Sequence, residues 1–237
     1  MVKMEKNNIS FEGIEEEDLI NFKSIRRKDC LKQEEFDKEH NVTTFSGIKL
    51  AKDGSGEYVP NAIENRDKFI NSEGMQNSAL EQINTVNDYL KNNISDISEY
   101  NFIDLGAGYG KVILSSLISN APYKSYTGIE IDPNFFNVLK NNIEQCNKKT
   151  NTWPSINLIN QDFKDYVCLP EKTVYYFFRS TDGDILTEFL SKNKELFMNN
   201  KTILVDVWPS CGWVDAVEET FTRVYSKDMI GIYQSKI

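Results

Sequence analysis

Apolar and polar positions along this chain follow two periods, one helical and one of strands. Met75, Leu80, Ile83, Val86 and Leu90 recur at helical spacing and predict a helix leading into the main fold. Tyr100–Leu105 then reads as an apolar strand and Val112–Ile118 as an apolar helix opening just after a glycine cluster. Ser125–Ile131 is the second strand. The next helix has a marked start, with Asp132 as N-cap and Pro133 at the first helical position. Its inner face carries Phe135, Phe136, Leu139, Ile143 and Cys146. Ile156–Ile159, Thr173–Phe178 and Thr202–Val207 are further strands, with a helix over Ile185–Phe197. Thr220–Tyr225 and Met229–Gln234, separated by Ser226-Lys227-Asp228, predict an antiparallel pair.

Strand–helix alternation over five units predicts an α/β fold: a doubly wound, mostly parallel sheet covered on both faces. The terminal pair brings the sheet to seven strands, the last antiparallel. Upstream, residues 1–40 run from acidic Glu15-Glu16-Glu17-Asp18 to basic Arg26-Arg27-Lys28 over a thin apolar stripe, as solvated helices do. Gly47, Gly54, Gly56 and Pro60 make residues 41–60 an irregular connection. The expected division is an N-terminal helical segment with a lid-like connection over 1–74, and the main domain over 75–237.

With 237 residues, 40% hydrophobic and 27% charged, the chain is one ordinary globular domain with an appendage. A net charge of −9 argues against a protein built to grip long nucleic acid, because that needs cations facing phosphates. No apolar run approaches the roughly 18 residues of a membrane span, and no secretory leader is visible. Cys30, Cys146, Cys168 and Cys211 are scattered without a CxxC pair, which fits reduced thiols in a cytoplasmic protein better than a zinc site, with Cys146 and Cys168 as core packing.

The sharpest signal is Phe102-Ile103-Asp104-Leu105-Gly106-Ala107-Gly108-Tyr109-Gly110-Lys111, a strand running into three alternate glycines and then a helix. Such a loop lets a ligand approach the backbone closely. Two carboxylates stand at the ends of the next strands. Glu130, followed by Ile131, can accept hydrogen bonds from a pair of ribose hydroxyls, and Asp162 can meet the exocyclic amine of adenine. Phe163 offers an apolar surface to the ring. A dinucleotide fingerprint would need a last glycine where Lys111 stands, and Asp104 would repel a pyrophosphate. Asp104 suits a cationic amino-acid moiety instead, as at the methionine end of S-adenosylmethionine (SAM).

These residues, with Gly128-Ile129-Glu130-Ile131-Asp132-Pro133 and Gln161-Asp162-Phe163, resemble the ordered motifs of class I SAM-dependent methyltransferases. The resemblance implies SAM as cofactor and a seven-stranded sheet with an antiparallel last strand. Phe36-Asp37 and Tyr58-Val59-Pro60 resemble elements preceding the glycine loop in a group of small bacterial methyltransferases of mixed acceptors. A fainter similarity, to non-SET histone-lysine methyltransferases, points toward protein acceptors. The fourth strand departs from enzymes acting on base amines or glutamine amides. Where they usually carry an Asn/Asp-Pro-Pro-Tyr element, this chain has Tyr175-Tyr176-Phe177-Phe178-Arg179-Ser180-Thr181-Asp182.

The acceptor is less legible. His40, the one histidine, sits in the N-terminal connection and is expected to be exposed. That poverty of bases fits an amine or an already acidic acceptor. Tyr58, Tyr109, Tyr175 and Tyr176 could line a cage for a methylated nitrogen, though ordinary strand packing also explains Tyr175 and Tyr176. Arg179 could pair with an acidic acceptor group, and Asp182 with Asp184 is a thin candidate for a metal-assisted reaction. Three readings stand: a small-molecule N- or O-methyltransferase, a protein or peptide (lysine or N-terminal amine) methyltransferase, and a non-catalytic interaction module of the same fold. Residues 41–60 are expected to close over the donor, with Tyr58 reaching the pocket.

Overall fold

The structure, a computed structural model, describes residues 32–44, 48–50, 56–58, 78–150, 152–178, 183–207 and 214–236. Expectations for the acidic and basic runs of 1–31, for Met75, and for Arg179 to Asp182 lie outside these residues, as do the side chains of Tyr58 and Asp184.

A helix over 32–40 (α1) is followed by two short strands, Ile48–Leu50 (β1) and Gly56–Tyr58 (β2), paired antiparallel with Ile48 opposite Tyr58. This corrects the reading of 41–60 as wholly irregular: three-residue strands are too short to register as a period. Helix α2 (Leu80–Asn93) opens on Ala79, whose N–H is taken up by the Gln82 side chain. The main sheet then builds from β3 (Asn101–Leu105), α3 (Lys111–Ile118), β4 (Ser125–Glu130), α4 (Pro133–Thr150), β5 (Ser155–Asn160) and β6 (Thr173–Phe178). It is completed by α5 (Gly183–Lys192), α6 (Lys194–Asn199), β7 (Thr202–Val207), α7 (Val214–Thr220), β8 (Phe221–Lys227) and β9 (Ile230–Ser235).

The strand order is β5-β4-β3-β6-β7-β9-β8, parallel except at β9, which runs antiparallel to both neighbours. The predicted α/β sheet of seven strands is therefore present. Two apolar layers cover it. On one face Phe102, Tyr126, Tyr176 and Val205 meet Ile83, Leu90, Ile113 and Leu139 of α2, α3 and α4. On the other, Ile103, Tyr175, Phe177 and Leu204 meet Phe189, Phe197 and Val217 of α5, α6 and α7. All six residues of β6 and of β7 are buried, as parallel strands covered on both faces require.

Three boundaries differ from expectation for local reasons. The helix expected over Ile185–Phe197 breaks at Asn193, whose side chain donates to the Phe189 carbonyl at 2.8 Å and competes with the backbone for it. Helix α7 was not anticipated, since seven residues hold less than two helical turns. The terminal hairpin turns at Asp228-Met229, with φ of 52° and 61°. Two consecutive positive φ values match the right-handed strand twist. The hairpin expected around Ser226-Lys227-Asp228 is present, with β8 running on to Lys227 and the turn tighter than expected.

Candidate functional site

The C-terminal ends of β3, β4 and β5 bring together the residues singled out in the sequence. Gly106, Gly108 and Gly110 have φ of +84°, +54° and +84°, a conformation that side chains resist. Gly106 and Ala107 donate their N–H groups to the Ile129 carbonyl, both at 2.9 Å, which pins the loop across β4. At Gly110 a second constraint applies: a Cβ there would lie 2.3 Å from Leu139 Cδ1 of α4.

Glu130 is held from two sides. Its Oε2 accepts from Gly108 N and its Oε1 from Asp132 N, both at 2.8 Å. Burial pushes its carboxyl up to about 7, although these backbone donors favour the charged form. Asn160 donates to the carbonyls of Glu130 and Ile131, at 2.8 and 3.2 Å, and so fixes the strand end that carries the carboxylate. Asp132 caps α4 as expected, accepting from Asn134 N at 2.7 Å.

Asp104 is 2% exposed, and its Oδ2 has no hydrogen-bond partner among the described residues. Desolvation, and then the charge of Glu130, push its carboxyl up to about 8. A buried carboxylate oxygen left without a donor is costly, and a cation beside it would favour the charged form. The buried Lys111 on the following helix donates from its Nζ to the Ser78 carbonyl. Ser78 Oγ in turn accepts from Tyr176 Oη at 2.8 Å, joining the start of α2 to β6.

The remaining candidates fall less simply. Asp162 Oδ1 accepts from Lys164 N at 3.0 Å and Oδ2 lies 3.3 Å from Lys164 Nζ, so in this state the carboxylate caps a short 3-10 turn. Phe163 is buried edge-on against Phe177 and Phe189, leaving little ring surface for a ligand. Tyr175 and Tyr176 point to opposite faces and are both buried, so they are core residues and form no cage. Tyr109 is half-buried in the loop, its ring edge-on to Phe135 at 5.3 Å. His40 is in the last turn of α1, not in an irregular connection, and is only 23% exposed with its ring against Phe36. Cys146 and Cys168 are buried, as packing residues are.

Sequence reasoning missed Asn142, Asn160, Ser78 and Asp206. The asparagines and the serine act through backbone groups, which leave no trace in residue spacing. Asp206 is one residue from the end of β7; burial puts its carboxyl well above the usual range, and its Oδ2 has no hydrogen-bond partner among the described residues. No helix of the described residues is long and apolar enough to cross a membrane.

No family model matches the sequence and no curated protein matches it. Solved structures do resemble the fold. An uncharacterized protein from Listeria monocytogenes matches at 10% identity over 67% of this chain and 66% of its own, with a TM-score of 0.46. A ribosomal protein L11 methylase from Lactobacillus delbrueckii subsp. bulgaricus matches at 15% identity over 67% and 79%, with 0.46. The tRNA (m1A22) methyltransferase of B. subtilis matches at 12% over 65% and 65%, with 0.45. The alignment thus spans just under two thirds of the Listeria and Bacillus chains' own length. At such distances likeness does not carry function, which falls to the chain's own residues. With the order β5-β4-β3-β6-β7-β9-β8 and an antiparallel β9, the chain has the Rossmann-like fold expected of class I methyltransferases.

Proposed function

We propose that the chain is a SAM-dependent methyltransferase acting on an N or O acceptor of a small molecule. The observation that carries this reading is Asp104: a buried carboxylate whose Oδ2 has no partner among the described residues, next to three left-handed glycines. The residues fit SAM. The α-ammonium of its methionine end would set a cation beside Asp104. Gly106, Ala107, Gly108 and Gly110 would face the donor's chain, Glu130 and Ile131 its ribose, and Asp162 its adenine, with the Phe163 ring in the core beneath that strand end. NAD would set a pyrophosphate against the same carboxylate.

The chemistry supplied at this site would be an electrophilic methyl carbon on a sulfonium. Because charge disappears in such a displacement, the protein's contribution is alignment and exclusion of water. The rigid loop aligns. Residues 41–60 are proposed to close over the donor and exclude water, and Tyr109 to border the acceptor. A scarcity of bases favours an amine, which can lose its proton before it binds. Calorimetry with SAM, S-adenosylhomocysteine and NAD tests the donor: binding of NAD and not of the other two overturns the reading. Release of S-adenosylhomocysteine across pools of small molecules, peptides and tRNA tests the acceptor; turnover on peptides or tRNA alone displaces the small-molecule assignment.

A further inference from the structure

The Phe36-Asp37 element has no role in the site just described, yet it builds a strap that ends on the glycine loop. Asp37 Oδ1 and Oδ2 accept from Thr44 N at 3.0 and 2.9 Å, and Oδ1 accepts from Thr44 Oγ1 at 2.6 Å. Val42 N donates to the Asp37 carbonyl at 3.0 Å. Residues 37–44 are thereby closed into a compact turn, with Phe36 packed beneath it against the first apolar layer. Thr44 is fully buried.

The turn is fastened to α4 at one side chain. Asn142 Oδ1 accepts from Thr43 N at 3.0 Å, and Asn142 Nδ2 donates to the Thr43 carbonyl at 2.9 Å. The same Nδ2 donates its second hydrogen to the Tyr109 carbonyl, also at 2.9 Å. Asn142 is 5% exposed, so water is a poor substitute for these partners. Two minor ties flank it, Asn41 Nδ2 to Gln145 Oε1 at 3.0 Å and Cys146 Sγ to the His40 carbonyl at 3.9 Å.

Tyr109 lies between two left-handed glycines, where rotation of its following peptide meets little steric resistance. Leu139, one turn before Asn142 on α4, already limits Gly110. We infer that Asn142 is a positioning residue: it fixes the Tyr109 carbonyl, and hence the ligand-facing loop, in proportion to how firmly residues 37–44 hold its amide. This rests on the methyltransferase reading and deepens it. The N-terminal segment then sets cofactor affinity from outside the pocket, and by linkage cofactor binding tightens the strap.

The test is calorimetry with S-adenosylhomocysteine on the full chain, paired with thermal melts and hydrogen exchange. Asn142→Ala is expected to raise Kd about 10-fold, the equivalent of one buried hydrogen bond lost with its partner left unpaired. Asp37→Ala and Thr44→Val leave the residues of α4 and of the loop unchanged, and are each expected to raise Kd about 3-fold. Combined with Asn142→Ala they should add nothing further, because the path is already cut. In the wild type, ligand should increase protection at Thr43 and Thr44 amides; in Asn142→Ala it should not. Wild-type Kd in Asp37→Ala and Thr44→Val, or effects that multiply with Asn142→Ala, overturn the inference while leaving the donor reading intact. Failure of the wild type to bind S-adenosylhomocysteine overturns both.

Discussion

Replacing Asp104 by Asn should remove much of a pH dependence that the native chain shows without ligand. The carboxyl's value is raised from 3.8 to about 8 by burial and by Glu130. Between those values the folded chain holds a proton that the unfolded chain has released. Stability is therefore fully present below about pH 4 and declines as pH rises, levelling off above about pH 8. From pH 5 to pH 8 the decline reaches about 4 kcal/mol at most, at roughly 1.4 kcal/mol per unit. Water entering the site on ionisation brings this nearer 2 kcal/mol. Urea denaturation of the wild type and Asp104→Asn at pH 5, 6.5, 8 and 9 reads the difference directly. The raised carboxyl of Asp206 is present in both chains and cancels from the comparison. Saturating S-adenosylhomocysteine should shrink the wild-type decline, because an ammonium beside Asp104 favours the charged form. Equal slopes for the two chains would refute the buried-carboxyl argument, and a slope untouched by ligand would remove the ammonium from this position.

Gly110→Ala combines a positive φ with a 2.3 Å approach to Leu139 Cδ1 and should lower stability by about 2–4 kcal/mol in urea denaturation. Leu139→Ala in that background should recover part of the loss if the collision is its source. Glu130→Ala leaves Gly108 N and Asp132 N without their acceptor, so calorimetry should find S-adenosylhomocysteine binding weakened by at least about 1–3 kcal/mol. Asp162→Ala should weaken it by a similar amount, provided the carboxylate leaves Lys164 for the ligand. Asp228→Gly should raise the melting temperature slightly, by about 0.5–1 kcal/mol of stability, since glycine takes the φ of 52° without strain.

The parts of this fold visible in sequence are those with long periods or strong punctuation. Asp132-Pro133 announced α4, and Gly106, Gly108 and Gly110 announced the loop because each glycine serves a backbone conformation found there. Asp104, Glu130 and Asp162 reached the same edge because a parallel sheet delivers all its strand ends to one side. What stayed hidden depends on partners far along the chain. Asn142 is one asparagine among several on α4, and only its contacts at Thr43, 99 positions earlier, distinguish it. Asp162 and Phe163 show the converse: their positions were readable, but whether a carboxylate caps a turn or a ring fills a core depends on Lys164 and Phe189.

The placement of β9 also constrains how the chain can be made. In space it lies between β7 and β8, yet in sequence it follows both. During synthesis β7 therefore emerges with one hydrogen-bonding edge open, and β8 has no partner until residues 230–235 leave the ribosome. The first five strands can assemble in order meanwhile, leaving the apolar edge of β7 open to other nascent chains. A stop a few residues before Ile230 would thus yield an aggregating product rather than a shortened enzyme, although every residue of the glycine loop would be intact.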